Sequence, residues 1–230
     1  MCHNWVVQVT VTEFCLTQKT LPNNRIFRGS RWFPGSPATY QDYLVEIKYN
    51  KGKEKMIFPT QMELDNLILK KPSTEFAGQV ADLVLRNQEE FKFIPWTRGY
   101  TTVSKAEENL KSMAEKWEKL SITYFIFKAE KLIGYAGLHV RDAKQVAEIS
   151  YYLDKDYIAH GYITEVIKKL QQMFFEQGGH RCEIFCNETN KRSCAVAERL
   201  NYRLDGTMRE YVLMDGVYQG VRIYSKLSTD

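Results

Sequence analysis

A chain of 230 residues with 44% hydrophobic content is long enough to bury a core and short enough to be one domain with an appendage. Five cysteines, an odd number, and a start that lacks a basic segment followed by a continuous apolar run point to a reducing, cytoplasmic compartment; no apolar stretch approaches the roughly 18 residues of a membrane span. The net charge of +4 is local: residues 1–55 hold 8 Lys and Arg against 4 Asp and Glu, and the rest is balanced at 24 of each, so the main body offers no basic face for nucleic acid.

The first 55 residues hold three of the six prolines (Pro22, Pro34 and Pro37), the loop-like run NNRIFRGSRWFPGSP and two short strand-like runs, WVVQVTV and YLVEIKY. They read as an N-terminal extension, residues 1–55, ahead of a domain over residues 56–230. The codons of KGKEKM form an almost all-purine run ending in a methionine codon, the pattern of a bacterial ribosome-binding site. The extension is therefore expected to lie upstream of an internal start at Met56, the alternative being an arm over the acceptor groove or a partner subunit.

Regular patterning begins near Leu64. STEFAGQVADLVLRNQEEF places Phe76, Val80, Leu83, Val84 and Phe91 at helical spacing behind a Ser/Thr cap, and SKAEENLKSMAEKWEKL repeats the pattern with Leu110, Met113, Trp117 and Leu120. TYFIFKAEKLIGYAGLHV predicts a hairpin turning at residues 129–131, and QVAEISYYL the next strand. A helix (TEVIKKLQQMFFEQ), a strand (RCEIFCN) and a helix (NKRSCAVAERL) follow. The closing hairpin turns at Asp215-Gly216. Alternating helices and strands flanked by hairpins predict an α/β (α+β) fold: a mixed, mostly antiparallel twisted sheet with helices on its faces.

Within AEISYYLDKDYIAHGYITEVIKKL, alternation puts Glu148, Ser150 and Tyr152 on one strand face and Ala147, Ile149, Tyr151 and Leu153 on the other. The following helix starts behind Gly161 with no acidic residue in IAHGYIT. Its free N–H groups and dipole are suited to an anion, although a glycine before a helix also serves simply as a turn.

From about Leu64 to the C-terminus, the runs RNQEEFKFIPW, GYAGLHV, AEISYYLDKDYIAHGYITEVIKKL, FFEQGGHRCEIFCNETNKRSCAVAERLNYRLDGTMREYVLMDGVYQGVRIYS resemble the GCN5-related N-acetyltransferases, closest to the ribosomal-protein N-terminal (RimJ/RimL-type) branch. The resemblance implies a sheet with a splayed central strand pair and transfer of an acetyl group from acetyl-CoA to an amine, without a metal or a covalent enzyme intermediate. It implies that Ala159, His160, Gly161, Tyr162, Ile163 and Thr164 hold the pyrophosphate and that the backbone of Tyr151, Tyr152 and Leu153 binds the pantetheine arm. Glu148 matches the general base and Ser193 the proton donor to the departing thiolate, with Asn190 capping its helix or touching CoA. Trp96, Tyr211 and Tyr218 are expected beside the acceptor. The family also often forms dimers.

Several positions depart from the branch. Its loop usually reads Gln or Arg followed by x-x-Gly-x-Gly/Ala, often with Gly at the second place, whereas IAHGYI keeps only Gly161. Tyr152 replaces a common Trp, Ser150 a Gly, and Gly220 an acid near the acceptor groove. Plainer readings stand beside each role: Glu148 as a solvated strand residue paired with a Lys or Arg, Ser193 as helix surface, Asn190 as an N-cap, Trp96 as a core aromatic. Asn201 reads as a left-handed helix terminator, and Cys182 with Cys186 make a poor metal site. The acceptor expected first is a protein N-terminal amine. A small amine such as an antibiotic, polyamine or toxin, and a non-catalytic CoA-binding module, are the alternatives.

Overall fold

The computed structural model describes residues 56–117, 121–141 and 145–230, and two two-residue strands, β1 (Phe27–Arg28) and β2 (Arg31–Trp32), paired antiparallel. The strand-like runs WVVQVTV and YLVEIKY lie outside the described residues, and the run NNRIFRGSRWFPGSP, expected as loop, contains the short β1–β2 pair. No described helix is long and apolar enough to cross a membrane.

The body opens with a hairpin absent from the sequence reading, β3 (Gln61–Leu64) and β4 (Leu67–Lys70). Its strands are four residues long, too short for a periodic signal, yet Met62, Leu67 and Leu69 are buried. The first helical stretch is shorter than its pattern. A 3-10 turn capped by Ser73 leads into α1 (Ala77–Arg86), and the chain then leaves helical geometry at Asn87, whose side-chain amide donates to the Leu83 carbonyl at 2.8 Å. Helix α2 (Val103–Lys116) is capped by Thr102, which accepts from the Lys105 N–H. Trp117 falls beyond it, in extended backbone, and donates its indole N–H to the Thr123 carbonyl at 2.9 Å.

The remaining elements follow the expected order: β5 (Ser121–Lys128), β6 (Lys131–Arg141), β7 (Val146–Leu153), α3 (Tyr162–Glu176), β8 (Arg181–Asn187), α4 (Lys191–Arg199), β9 (Arg203–Met214) and β10 (Val217–Leu227). Asp215 and Gly216 both have positive φ, the backbone of a tight hairpin turn, and Asn201 (φ 59°) ends α4 as expected.

One eight-stranded sheet runs in the order β3-β4-β5-β6-β7-β8-β10-β9, and every pairing in it is antiparallel except that of β7 with β8. Strand alternation divides its side chains between two cores. Ile122, Tyr124, Ile126, Ala136, Leu138, Ala147 and Ile149 pack with α3 and α4; Phe125, Phe127, Tyr135 and Tyr152 pack with α1 and α2. Covered on both faces, β5 is an almost unbroken apolar run.

The end of β7 is pinned to α1. Asp154, wholly buried, accepts from Arg86 (2.7 and 3.2 Å) and from Asn87 (3.1 Å). Asn87 in turn accepts from the Lys155 N–H at 2.8 Å, which fixes the entry to the loop before α3.

Candidate active site

The parallel ladder between β7 and β8 is three pairs long, Val146 with Arg181, Ala147 with Cys182, and Glu148 with Glu183. Beyond that rung β7 continues to Leu153 paired only with β6, while β8 continues to Asn187 paired only with β10. The two strands splay. Backbone groups of residues 149–153 on the β8 side have no strand to bond, and unpaired peptide groups are strong hydrogen-bonding sites for an extended amide-bearing ligand.

Glu148 occupies the last shared rung, half-buried, and its carboxylate makes no hydrogen bond or ion pair to any described residue. The plain reading, a carboxylate paired with a Lys or Arg, finds Arg141 only as a charge acting without direct contact. Burial pushes its carboxyl pKa up, and the charge of Arg141 pulls it partly back. Directly across β6 stands His139, whose Nε2 shares a 2.8 Å hydrogen bond with Ser150 Oγ; Tyr135 OH lies 3.3 Å from the same hydroxyl. Burial pushes the His139 pKa down to about 4, so its ring is neutral at ordinary pH.

Behind this polar group lies an aromatic box. Tyr135 and Tyr152 stack with centroids 5.2 Å apart, and Trp96, half-buried in the 3-10 turn Pro95–Tyr100, meets them at 5.3 and 5.6 Å. Trp96 is thus part of the wall next to Ser150. His139, Tyr135 and Ser150 were not singled out from the sequence as site residues. The available signal was alternation along β6, which puts residues 135, 137, 139 and 141 on one face, but choosing the Glu148 side required the β6–β7 register.

On the opposite face of β7, Tyr151 reaches α4. Its hydroxyl lies 2.9 Å from Ser193 Oγ and donates to the Ser193 carbonyl at 3.3 Å; Ser193 Oγ is also 3.2 Å from Cys186 Sγ. Ser193 is held in the first turn of α4 by Asn190, whose side-chain oxygen accepts from the Ser193 N–H at 3.2 Å. Asn190 is an N-cap, and Ser193 is tied into a buried cluster rather than standing on open helix surface. Burial pushes the Tyr151 phenol far up, so it keeps its proton.

The loop before α3 turns on two left-handed residues, Ala159 (φ 68°) and Gly161 (φ 82°). Ala159 stands at the branch's frequent glycine position and adopts the conformation that glycine favours. The first hydrogen bond of the helix runs from the Glu165 N–H to the Gly161 carbonyl at 3.0 Å, which leaves the N–H groups of Gly161, Tyr162, Ile163 and Thr164 without intrahelical acceptors. Helix α3 begins at Tyr162, two residues before the expected start, so Thr164 lies inside its first turn. The His160 ring is locked by the Ile158 carbonyl (2.9 Å) and by stacking on Tyr162, and Arg199 donates to Thr164 Oγ1 at 3.3 Å.

Tyr211 and Tyr218 do not join this arrangement. They stand 51% and 63% exposed on β9 and β10, three and two strands away from β7. Cys182 and Cys186 point into the α3/α4 core, where burial raises both thiols to about 12.

The sheet thus parts beside a half-buried carboxylate, and helix α3 opens with unpaired N–H groups in the loop that follows β7. The acetyltransferase (GNAT) domain family matches residues 66–203, more than half of the chain, and the chain belongs to that family. Among curated proteins it is 31% identical over 137 residues to the probable N-acetyltransferase YjcK of Bacillus subtilis, a match covering 57% of this chain and 76% of that protein. It is 27% identical over 106 residues to the ribosomal-protein-serine acetyltransferase of Escherichia coli, covering 45% of this chain and 59% of that enzyme, less than two thirds of its length. Among solved structures, the microcin C7 self-immunity acetyltransferase MccE in complex with acetyl-CoA and AMP superimposes with a TM-score of 0.69 at 24% identity, over 76% of this chain and 99% of that one.

Proposed function

We propose that this GNAT-family enzyme, working in the cytoplasm, transfers the acetyl group of acetyl-CoA to a protein N-terminal amine. One observation carries the reading. Glu148 and Tyr151 leave opposite faces of β7 at the point where the strand parts from β8, so a base and an acid flank one gap.

The donor fits the residues present. The free N–H groups from Gly161 to Thr164 suit a pyrophosphate, and the unpaired edge of Tyr151, Tyr152 and Leu153 suits the amides of a pantetheine arm; bound there, acetyl-CoA supplies an activated thioester. An amine of pKa about 8 to 10 is mostly protonated at neutral pH, and Glu148, made more basic by burial, takes its proton directly or through water. Backbone N–H groups of β7 stabilise charge on the carbonyl oxygen, and the Tyr151–Ser193 pair returns a proton to the thiolate. Trp96 and its aromatic neighbours form the acceptor wall, and the exposed Tyr211 and Tyr218 remain available to a longer acceptor or to a second copy in a homodimer.

The likeness to the E. coli enzyme favours a ribosomal-protein N-terminus as acceptor. Incubation of the purified protein and host-cell extract with acetyl-labelled acetyl-CoA tests this. Label in discrete protein bands supports the reading. Label confined to small molecules moves the acceptor to a small amine, the class to which an immunity enzyme such as MccE draws attention. No transfer leaves only a CoA-binding module.

A further inference from the structure

The inference rests on Glu148 being the base, and it concerns the charges gathered where β7 and β8 part. On the Glu148 face, β6 contributes His139 directly opposite and Arg141 one same-face position further on, and β8 contributes Glu183 opposite and Arg181 beside Val146. Two carboxylates facing each other across a ladder repel, and the pair Glu148 with Glu183 is the last rung of this one.

Compensation comes from two arginines. Arg141 reaches over β7 to form an ion pair with Glu183, its guanidinium 5.8 Å from the centre of the Phe185 ring. Arg181 grips Glu183 from the other side, Nε to Oε1 2.8 Å, and is itself paired with Asp205, which accepts from Ser225 at 2.9 Å. With its side chain 11% exposed, Glu183 is a fixed anchor, and Arg141 is a fixed positive charge diagonal to Glu148. Arg181 is charged but committed to Glu183 and Asp205, and the remaining groups facing Glu148 carry no charge: burial keeps His139 deprotonated and the Tyr135 phenol protonated, and Ser150 does not titrate.

We propose that Arg141, anchored by Glu183, is a positioning residue that sets the pH at which Glu148 becomes a working base. Without Arg141, the burial that raises the Glu148 pKa would act uncompensated. Without Glu183, the guanidinium would be free to swing onto Glu148 and bind it directly, leaving a carboxylate too weakly basic to take a proton from an amine. Glu183 therefore restrains Arg141 as much as Arg141 neutralises Glu183.

The test is a carbon-13 NMR titration of glutamate side-chain carboxyls in the full-length protein, with the Glu148 signal assigned by its loss in Glu148→Gln. Arg141→Gln should move the Glu148 midpoint up, and Glu183→Gln should move it down, each by about 0.5–1.5 pH units, the size of effect typical of a charge within several ångströms. Arg141→Lys should stay closer to wild type than Arg141→Gln. Shifts of opposite sign support the proposal; no shift, or shifts in the same direction, overturn it. If Arg141→Gln does not fold, the double variant Arg141→Gln/Glu183→Gln decides: its Glu148 midpoint should lie above that of Glu183→Gln alone, and an equal midpoint overturns the proposal. Acetyl transfer into host-extract proteins is followed in parallel. Full activity in Glu148→Gln would remove the base assignment whatever the titration shows, so the two failures are distinguishable.

Discussion

The Tyr151 hydroxyl and Ser193 Oγ lie 2.9 Å apart and join β7 to α4 on the far side of the strand from Glu148. Burial keeps the phenol protonated, and the pair proposed to protonate the leaving thiolate stands on the face of β7 opposite Glu148. Tyr151→Phe removes the phenolic proton and keeps the ring. It should lower kcat by about 10- to 100-fold, in the lower range of positioned acid–base catalysis, with the KM for acetyl-CoA nearly unchanged. Ser193→Ala should cost less, because Tyr151 retains the Ser193 carbonyl. Steady-state kinetics on both variants check the order.

Glu148→Gln should reduce kcat/KM by roughly 10²- to 10³-fold. Burial raises the carboxyl pKa, and the group works only when ionised, so wild-type activity should fall with decreasing pH above the ordinary glutamate value of about 4.3. The variant should lack that acid limb. A pH profile of kcat/KM for both proteins measures it, and a limb that persists in Glu148→Gln would assign it to another group.

Helices α3 and α4, the β5–β6 hairpin and the Asp215-Gly216 turn were all legible because each carries a long period or a turn pair with one backbone solution. The β3–β4 hairpin was not, since four-residue strands hold too few apolar positions to show a period. Alternation placed Glu148 and Tyr151 on opposite faces of β7. It could not show that Tyr151 meets Ser193, which depends on how α4 packs, nor that His139 and Arg141 flank Glu148, which depends on register between strands. Glu183 reads in sequence as an ordinary strand residue, and only the parallel pairing sets it opposite Glu148.

Gly161 has φ 82°, and a Cβ added there would meet nothing within 4 Å, so the cost of Gly161→Ala is backbone strain alone. If the free loop of Gly161→Ala relaxes and the anion forces it back, about 1 kcal/mol of such strain should weaken CoA binding roughly fivefold with only a small loss of stability. Ala159→Gly should have the opposite sign, since Ala159 already bears that strain at φ 68°. Titration calorimetry with CoA on the two variants gives both signs.

Asp154 is the clearest source of acid-sensitive stability. Burial alone would raise its pKa, but hydrogen bonds from Arg86 and Asn87 and the Arg86 charge outweigh burial and hold it below the usual aspartate value. A depressed carboxylate stabilises the fold above its unfolded pKa of about 3.9, and that contribution is lost as pH falls through the folded value. Asp154→Asn should cost about 1–3 kcal/mol at pH 7, less than a fully enclosed pair because Arg86 is partly open to solvent. Urea unfolding should show the deficit shrinking toward pH 3.

Strand β7 acts as a partition between two ionisable side chains, with Glu148 on one side and Tyr151 on the other. They lie three positions apart along the strand, an odd spacing, and that parity is what puts them on opposite sides. Removing or inserting one residue between positions 148 and 151 would turn both toward the same side while leaving composition and length almost untouched. A change of two residues in this segment, by contrast, would keep the two side chains on opposite sides.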